Sequence, residues 1–247
     1  MRTDDPDPAD DAENESGADS GGTRLPLFPL PDVVHFPRTE LRLQITEPRY
    51  KRLVLDLVER QEEDARWIGV VLLKPGWVEG YEGRPEVFPG GTAGRLLDVD
   101  LLPDGRANIL LYGDYRFELK RELRGGEYRR AVVRPIEEPW LNEKDAGIIA
   151  VRHAILENLQ ILAAELGDAF PFQPGETEGL GEDDPFEELV NRIAADLDVP
   201  ALRKLQLLIE SLPERCLSVL SILRSRKQVV DLLRPFRHLA ASRSDLN

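Results

Sequence analysis

TAGRLLDVDLLPDGRANILLYGDYRFELKRELRGGEYRRAVVR, residues 92–134 of this 247-residue chain, contains four runs with the composition of β-strands. The runs cover 92–102, 107–112, 116–123 and 127–134, and the triplets Pro103-Asp104-Gly105 and Arg124-Gly125-Gly126 separate the outer pairs. Proline presets φ, aspartate bonds its own backbone and glycine supplies positive φ, so both triplets read as turns and the stretch as a meander. Working outward toward the N-terminus, RWIGVVLL (residues 66–73) is a short apolar run that reads as a buried strand, and a Pro/Gly-rich loop is expected over 74–91. Further upstream Leu41, Leu43 and Ile45 alternate with Arg42 and Gln44, while Leu25, Leu27 and Leu30 stand among Pro26, Pro29 and Pro31. Each proline removes a ladder donor, which suggests edge strands or strand ends. After Glu47-Pro48, the spacing of Tyr50, Leu53, Val54, Leu57 and Val58 predicts one amphipathic helix of about four turns. Six or seven strands and one helix make a closed or nearly closed β-unit.

Beyond Pro139 the period changes. Asn142 reads as an N-cap with Asp145 in the first turn, and Ile148, Val151, Ile155, Leu159, Leu162 and Leu166 recur at spacings of three and four until Gly167. A second helix is expected from Asp184-Pro185, a third from Pro200, and a fourth from Pro213 to Pro235. The second half therefore reads as a helical bundle.

The 46 acids exceed the 32 lysines and arginines by 14, and two segments account for the excess. Residues 1–23 hold eight acids and Arg2; residues 174–188 hold seven acids and no base. The rest is neutral overall, so the acidity does not argue against an anionic partner. Residues 1–23 also lack Leu, Ile, Val, Phe, Tyr and Trp, leaving little apolar surface to offset the entropy of ordering, and are expected to be disordered. The 174–188 segment reads as a spacer or as an electrostatic lure for basic clients. No run approaches the ~18 apolar residues of a membrane helix and no secretory signal is visible, so a cytoplasmic protein is expected. The single cysteine, Cys216, excludes an intrachain disulfide.

A search for catalytic patterns finds no phosphate-binding G-x-x-x-x-G-K-[ST], no G-x-S-x-G and no H-E-x-x-H, and His35, His153 and His238 have no ligand spacing. Neither a metal nor a cofactor is expected, and Cys216 on an apolar helical stripe reads as an inert core thiol. Binding features are better represented. Trp77, Tyr81 and Phe88 lie in the 74–91 loop, as anchors for a partner or as a lid over the end of the β-unit. Arg121, Arg124, Arg129, Arg130 and Arg134 gather around one hairpin with Glu122 and Glu127 between them, a candidate basic patch for RNA.

Several of these segments resemble one family. Leu25-Pro26-Leu27-Phe28-Pro29-Leu30, Val33-Val34-His35-Phe36-Pro37 and Glu47-Pro48-Arg49-Tyr50, followed by Gly91-Thr92, Gly105-Arg106, Gly113, Arg116-Phe117 and Tyr128-Arg129 with Ala131, resemble the N-terminal substrate-binding domain of Lon protease. The resemblance runs over roughly residues 24–240. Arg38 stands where the family usually has glycine, and Thr46 where it has a large apolar residue. The resemblance implies an α+β fold: an N-terminal β-rich, PUA-like pseudo-barrel with one helix (24–139), then a C-terminal helical bundle (140–247). It also implies a non-enzymatic module that binds exposed or unfolded polypeptide, an adaptor in proteolysis or protein quality control that hands its clients to a protease or unfoldase. Full Lon continues into ATPase and protease modules that this sequence lacks, so a stand-alone member is expected. Strand edges and apolar groove residues are the physical means of holding an extended segment. Arg49 and Tyr50, in the best-matched motif, join Trp77, Tyr81 and Phe88 as candidate polypeptide-binding residues. An RNA-binding protein using the PUA-like unit is the alternative.

Overall fold

The computed structural model describes residues 22–59, 66–80, 83–172 and 185–236. Tyr81, the 1–21 tail, residues 173–184 and His238 lie outside the described residues. Strand β1 (Thr23–Leu30) contains both Pro26 and Pro29 yet has a neighbour on each flank. The two pairings divide it. Residues 23–26 run antiparallel to β6 (Arg130–Pro135), and residues 27–30 run parallel to β3 (Trp67–Leu73). Each half thus has one side without a ladder, where a missing N–H costs little.

Strand β2 (Glu40–Ile45) leads into α1 (Pro48–Val58), which has proline in its first turn and buries Tyr50, Leu53, Val54 and Leu57. At 11 residues it is three turns long, one fewer than the spacing suggested. The expected 74–91 loop is shorter too. Val87 already begins β4 (Val87–Leu101), so Phe88 is a strand residue, and a 3₁₀ turn at Trp77–Gly80 occupies the connection. The runs 107–112 and 116–123 are one continuous strand, β5 (Ala107–Leu123). Its length lets it serve three neighbours: β4 along most of it, β2 against residues 107–112, and β6 against 117–123. Pairing β5 with both β4 and β6 closes the circuit β5-β4-β3-β1-β6, and β2 lies outside it, on the flank of β5.

Phe117 fills the circuit's interior among Leu25, Leu27, Val71, Ala93, Ala131 and Val133. Gly91 makes room for it, since a Cβ there would sit 2.7 Å from the Phe117 ring and 2.4 Å from the Val70 carbonyl oxygen. A second core lies under α1, where Phe28 meets Tyr50 edge-on at 4.3 Å between ring centroids.

The helical half holds α2 (Ala146–Leu166), α3 (Phe186–Asp196), α4 (Ala201–Ile209) and α5 (Leu212–Leu233). Asp145, not Asn142, caps α2, accepting from the amides of Gly147 and Ile148; Asn142 instead accepts from Lys144 in the preceding turn. Ser211 and Glu214 form a reciprocal capping box on α5. The 24-residue stretch Ala146–Ala169 is long and apolar enough, by length and composition, to cross a membrane, contrary to the reading of the sequence. Its apolar face is committed elsewhere, because Ile155, Leu159 and Leu162 are fully buried inside the protein. The helical core also takes in Val34, Phe36 and Leu72 from the strand half, with Phe88 against it, so the two halves share one hydrophobic cluster.

Candidate functional site

The seam between the halves is built from two arginines. Arg116 on β5 donates to the carbonyls of Leu208 and Glu210, each at 2.7 Å, and pairs with Glu138 Oε1 at 2.7 Å. Arg215 on α5 donates to the carbonyls of Leu207 and Glu210, both at 2.9 Å, to Asn191 Oδ1 at 2.6 Å, and to the same Glu138 oxygen at 2.9 Å. The other Glu138 oxygen accepts from the Leu212 amide at 3.2 Å. Leu207, Leu208 and Glu210 carry the carbonyls left over at the C-terminus of α4, so the guanidinium groups cap that helix where its dipole favours cations. Burial lowers the Arg116 pKa, and the neighbouring Arg215 charge lowers it further. The result is a pinned corner. It seats α4 against the start of β4, with Ile209 Cγ2 only 2.8 Å from where a Cβ on Gly90 would stand.

The candidate residues fall into different settings. Phe88 is half-buried against the helical core. Trp77 is half-buried on the 3₁₀ turn beside exposed Val78, and the base of that excursion is clamped by Lys74, whose amide donates to the Glu86 carbonyl and whose Nζ pairs with the Glu86 carboxylate, both at 2.8 Å. Arg49 lies 3.3 Å from the Glu47 carboxylate and lines a cleft of about 420 Å³ with Arg84, Tyr128 and Arg129. Tyr50 faces inward, 7% exposed, and its hydroxyl pKa is raised chiefly by burial. A core side chain so placed holds the start of α1 rather than offering a surface, whereas Arg49 beside it lines the cleft.

Two of the hairpin arginines, Arg129 and Arg134, are matched with acids. Arg134 pairs with its cross-strand partner Glu118 at 2.8 Å, and Arg129 donates through Nε and Nη2 to Glu122 and through Nη1 to the Pro85 carbonyl. Arg84 donates to the carbonyls of Leu123 and Gly125, closing the cleft over the β5–β6 turn. The cleft lining carries Arg49, Arg84 and Arg129 against Glu127, and Glu47 and Glu122 pair with Arg49 and Arg129 from beside it.

The titratable groups have structural settings. Burial lowers the His35 pKa to about 4, and its Nε2 lies 3.1 Å from the Thr39 carbonyl. Burial raises Cys216 to about 12, far from the thiolate a nucleophile needs. Among the described residues no group of three or more His, Cys, Asp or Glu is placed to hold a metal ion.

The family-like residues are mostly framework. Thr92 Oγ1 donates to the His35 carbonyl at 2.6 Å, Gly113 lies so close to Phe36 that a Cβ would meet its carbonyl oxygen at 2.2 Å, and Arg116 anchors the seam. Comparison with known proteins supports the resemblance. The family described as the ATP-dependent protease La (LON) substrate-binding domain matches residues 24–225. The chain belongs to this family. Lon protease of Flavobacterium johnsoniae is 25% identical over 222 residues, covering 89% of this chain and 26% of that protein, and Lon protease of Amoebophilus asiaticus is 28% identical over 156 residues, covering 63% and 18%. The chain thus spans about a quarter of the length of such relatives. A Lon N-terminal domain protein from Xanthomonas campestris aligns with 81% of this chain and 98% of its own, at TM-score 0.56 and 25% identity. The N-terminal domain of Mycobacterium avium complex Lon protease shares the fold at TM-score 0.61 and 13% identity.

The seam was missed in the sequence, although a signal for it exists. Arg215 falls on the apolar stripe of α5 with Leu212, Cys216 and Val219, where a charge demands a buried partner.

Proposed function

We propose that this Lon substrate-binding-family protein is a non-catalytic recognition module that holds exposed or unfolded polypeptide, acting as an adaptor in proteolysis or quality control in the cytoplasm. The observation that carries the reading is the family match across residues 24–225, which takes in both the strand circuit and most of the helical half. Half-buried Trp77 beside exposed Val78, and Arg49 in the cleft, are surface groups consistent with a role in client contact. The ion pairs of Arg129 and Arg134 leave the hairpin with less free positive charge than its composition suggests, which weighs against the RNA-binding alternative.

The test is a pull-down from host lysate with the full chain as bait, with and without nuclease and at two salt concentrations. Nuclease-resistant recovery of unfolded proteins or protease subunits is the expected result. Recovery of RNA that is lost at the higher salt overturns it.

A further inference from the structure

We propose that the open flank of β2 is where an extended client segment binds, adding to the sheet as a further strand; this rests on the polypeptide-binding reading above and names its site. Among the described residues β2 pairs only with β5, so its other edge has no strand neighbour. Sheet edges of this kind are usually blunted by proline, a bulge, a very short strand or charged side chains, and of these devices β2 carries only the charges of Glu40 and Arg42. The six residues of β2 contain no proline, and their register against β5 is unbroken, unlike the β3–β4, β4–β5 and β5–β6 pairings, which all carry shifts.

The ladder shows which groups face the open side. The Gly113 amide donates to the Thr39 carbonyl at 2.9 Å, so Thr39 points toward β5. Backbone direction alternates along an antiparallel strand, hence Leu41, Leu43 and Ile45 also bond β5, while the N–H and C=O groups of Glu40, Arg42 and Gln44 face outward. An added strand would meet three donors and three acceptors at regular spacing. Its side chains would alternate between two faces. One continues the half-buried Leu41 and Leu43, which pack on the core under α1; the other continues exposed Glu40, Arg42 and Gln44. The matching client is an extended segment of about six residues with apolar side chains at alternate positions, common in unfolded chains.

Of the two-fold antiparallel β2–β2 pairs with a second copy of this chain, the one with its axis at Arg42 sets Arg42 directly opposite Arg42, where like charges repel, while the one with its axis at Leu43 sets Arg42 opposite Gln44. The occupant that follows from the polypeptide-binding reading is the heterologous client segment. The outward side chains, one acid, one base and one amide, demand no net charge of a heterologous segment.

The test uses the full chain and fluorescein-labelled, reduced and carboxymethylated α-lactalbumin, a permanently unfolded probe, followed by fluorescence anisotropy. Arg42→Pro removes an outward N–H while sparing the β5 ladder, and Arg42→Ala removes only the side chain. Expected are a loss of affinity of tenfold or more for R42P, less than threefold for R42A, and a folded R42P by circular dichroism. Amide hydrogen exchange of the wild-type protein gives the independent readout, with the Glu40, Arg42 and Gln44 amides gaining protection when the probe is bound. If R42P does not fold, that protection decides. Wild-type binding with no protection at those amides, or with folded R42P unaffected, overturns the edge site and leaves the recognition reading standing. No binding of the probe by the wild-type chain overturns both.

Discussion

Arg116 and Arg215 at the seam are 3% and 0% exposed, whereas in the β5–β6 hairpin the side chain of Arg134 is 63% exposed in its pair with Glu118. In the sequence both regions are arginines with glutamates nearby. Their energetic roles separate only with burial. At the surface, water screens the pair and two long side chains lose freedom to form it, so it is worth little. At the seam, two guanidinium groups have left water and depend on one carboxylate and a set of helix-end carbonyls, so removing any partner strands a buried charge.

The largest expected effect comes from breaking the buried side. Glu138→Ala leaves Arg116 and Arg215 without their shared carboxylate, and urea unfolding should show a loss of about 3–5 kcal/mol. A loss below about 1 kcal/mol would mean that water enters the seam and that the contrast with the hairpin is overstated.

His35 sharpens the same point without a partner charge. Its pKa in the fold is about 4, below the ordinary 6.5, so the unfolded chain takes up a proton at a pH where the native imidazole stays neutral. Its contribution is therefore fully present above pH 6.5 and is lost as pH falls from 6.5 through 4, amounting to about 3 kcal/mol. Urea titrations across that range should show the loss in the wild-type protein and a flatter profile in His35→Gln.

Arg38 tests a strain rather than a charge. It holds a left-handed φ of 61° at the turn before β2, where the amide of Arg38 donates to the Gly113 carbonyl. Glycine, which the resemblance implies at this position, adopts that backbone angle without a Cβ clash. Arg38→Gly should stabilise the protein by about 1 kcal/mol in the same assay, because its half-exposed contact with Asp114 at 3.7 Å has little to lose. The smallest effect belongs to the hairpin: Arg134→Ala should change stability by no more than about 0.5 kcal/mol, and a larger loss would place that pair with the seam.

Much of the architecture was legible because it depends on local chemistry. The turns at 103–105 and 124–126, the proline at the start of α1 and the three-and-four spacing of Ile155, Leu159 and Leu162 all act within a few residues. Errors arose where a distant partner decides the outcome. Phe88 reads as a loop residue beside Pro89 and Gly90, yet pairing with β3 and β5 and contact with α4 draw that segment into β4. Residues 113–115 look like a break between two strands, but β5 runs through them because β4 continues to pair alongside. Of the candidate site residues, Trp77 and Arg49 keep surface positions, Tyr50 turns inward onto Phe28, and Phe88 enters the seam.

The sequence by itself determined the α+β order, most element positions and the family resemblance, because hydrophobic period, proline and glycine act over short distances. Tertiary structure alone decided the closure of the strand circuit, the sharing of Glu138 by Arg116 and Arg215, and, among the described residues, the unpaired flank of β2. The first two join groups remote in sequence, Arg116 and Arg215 among them. Register and burial, which set their geometry and energy, exist only once the chain has packed.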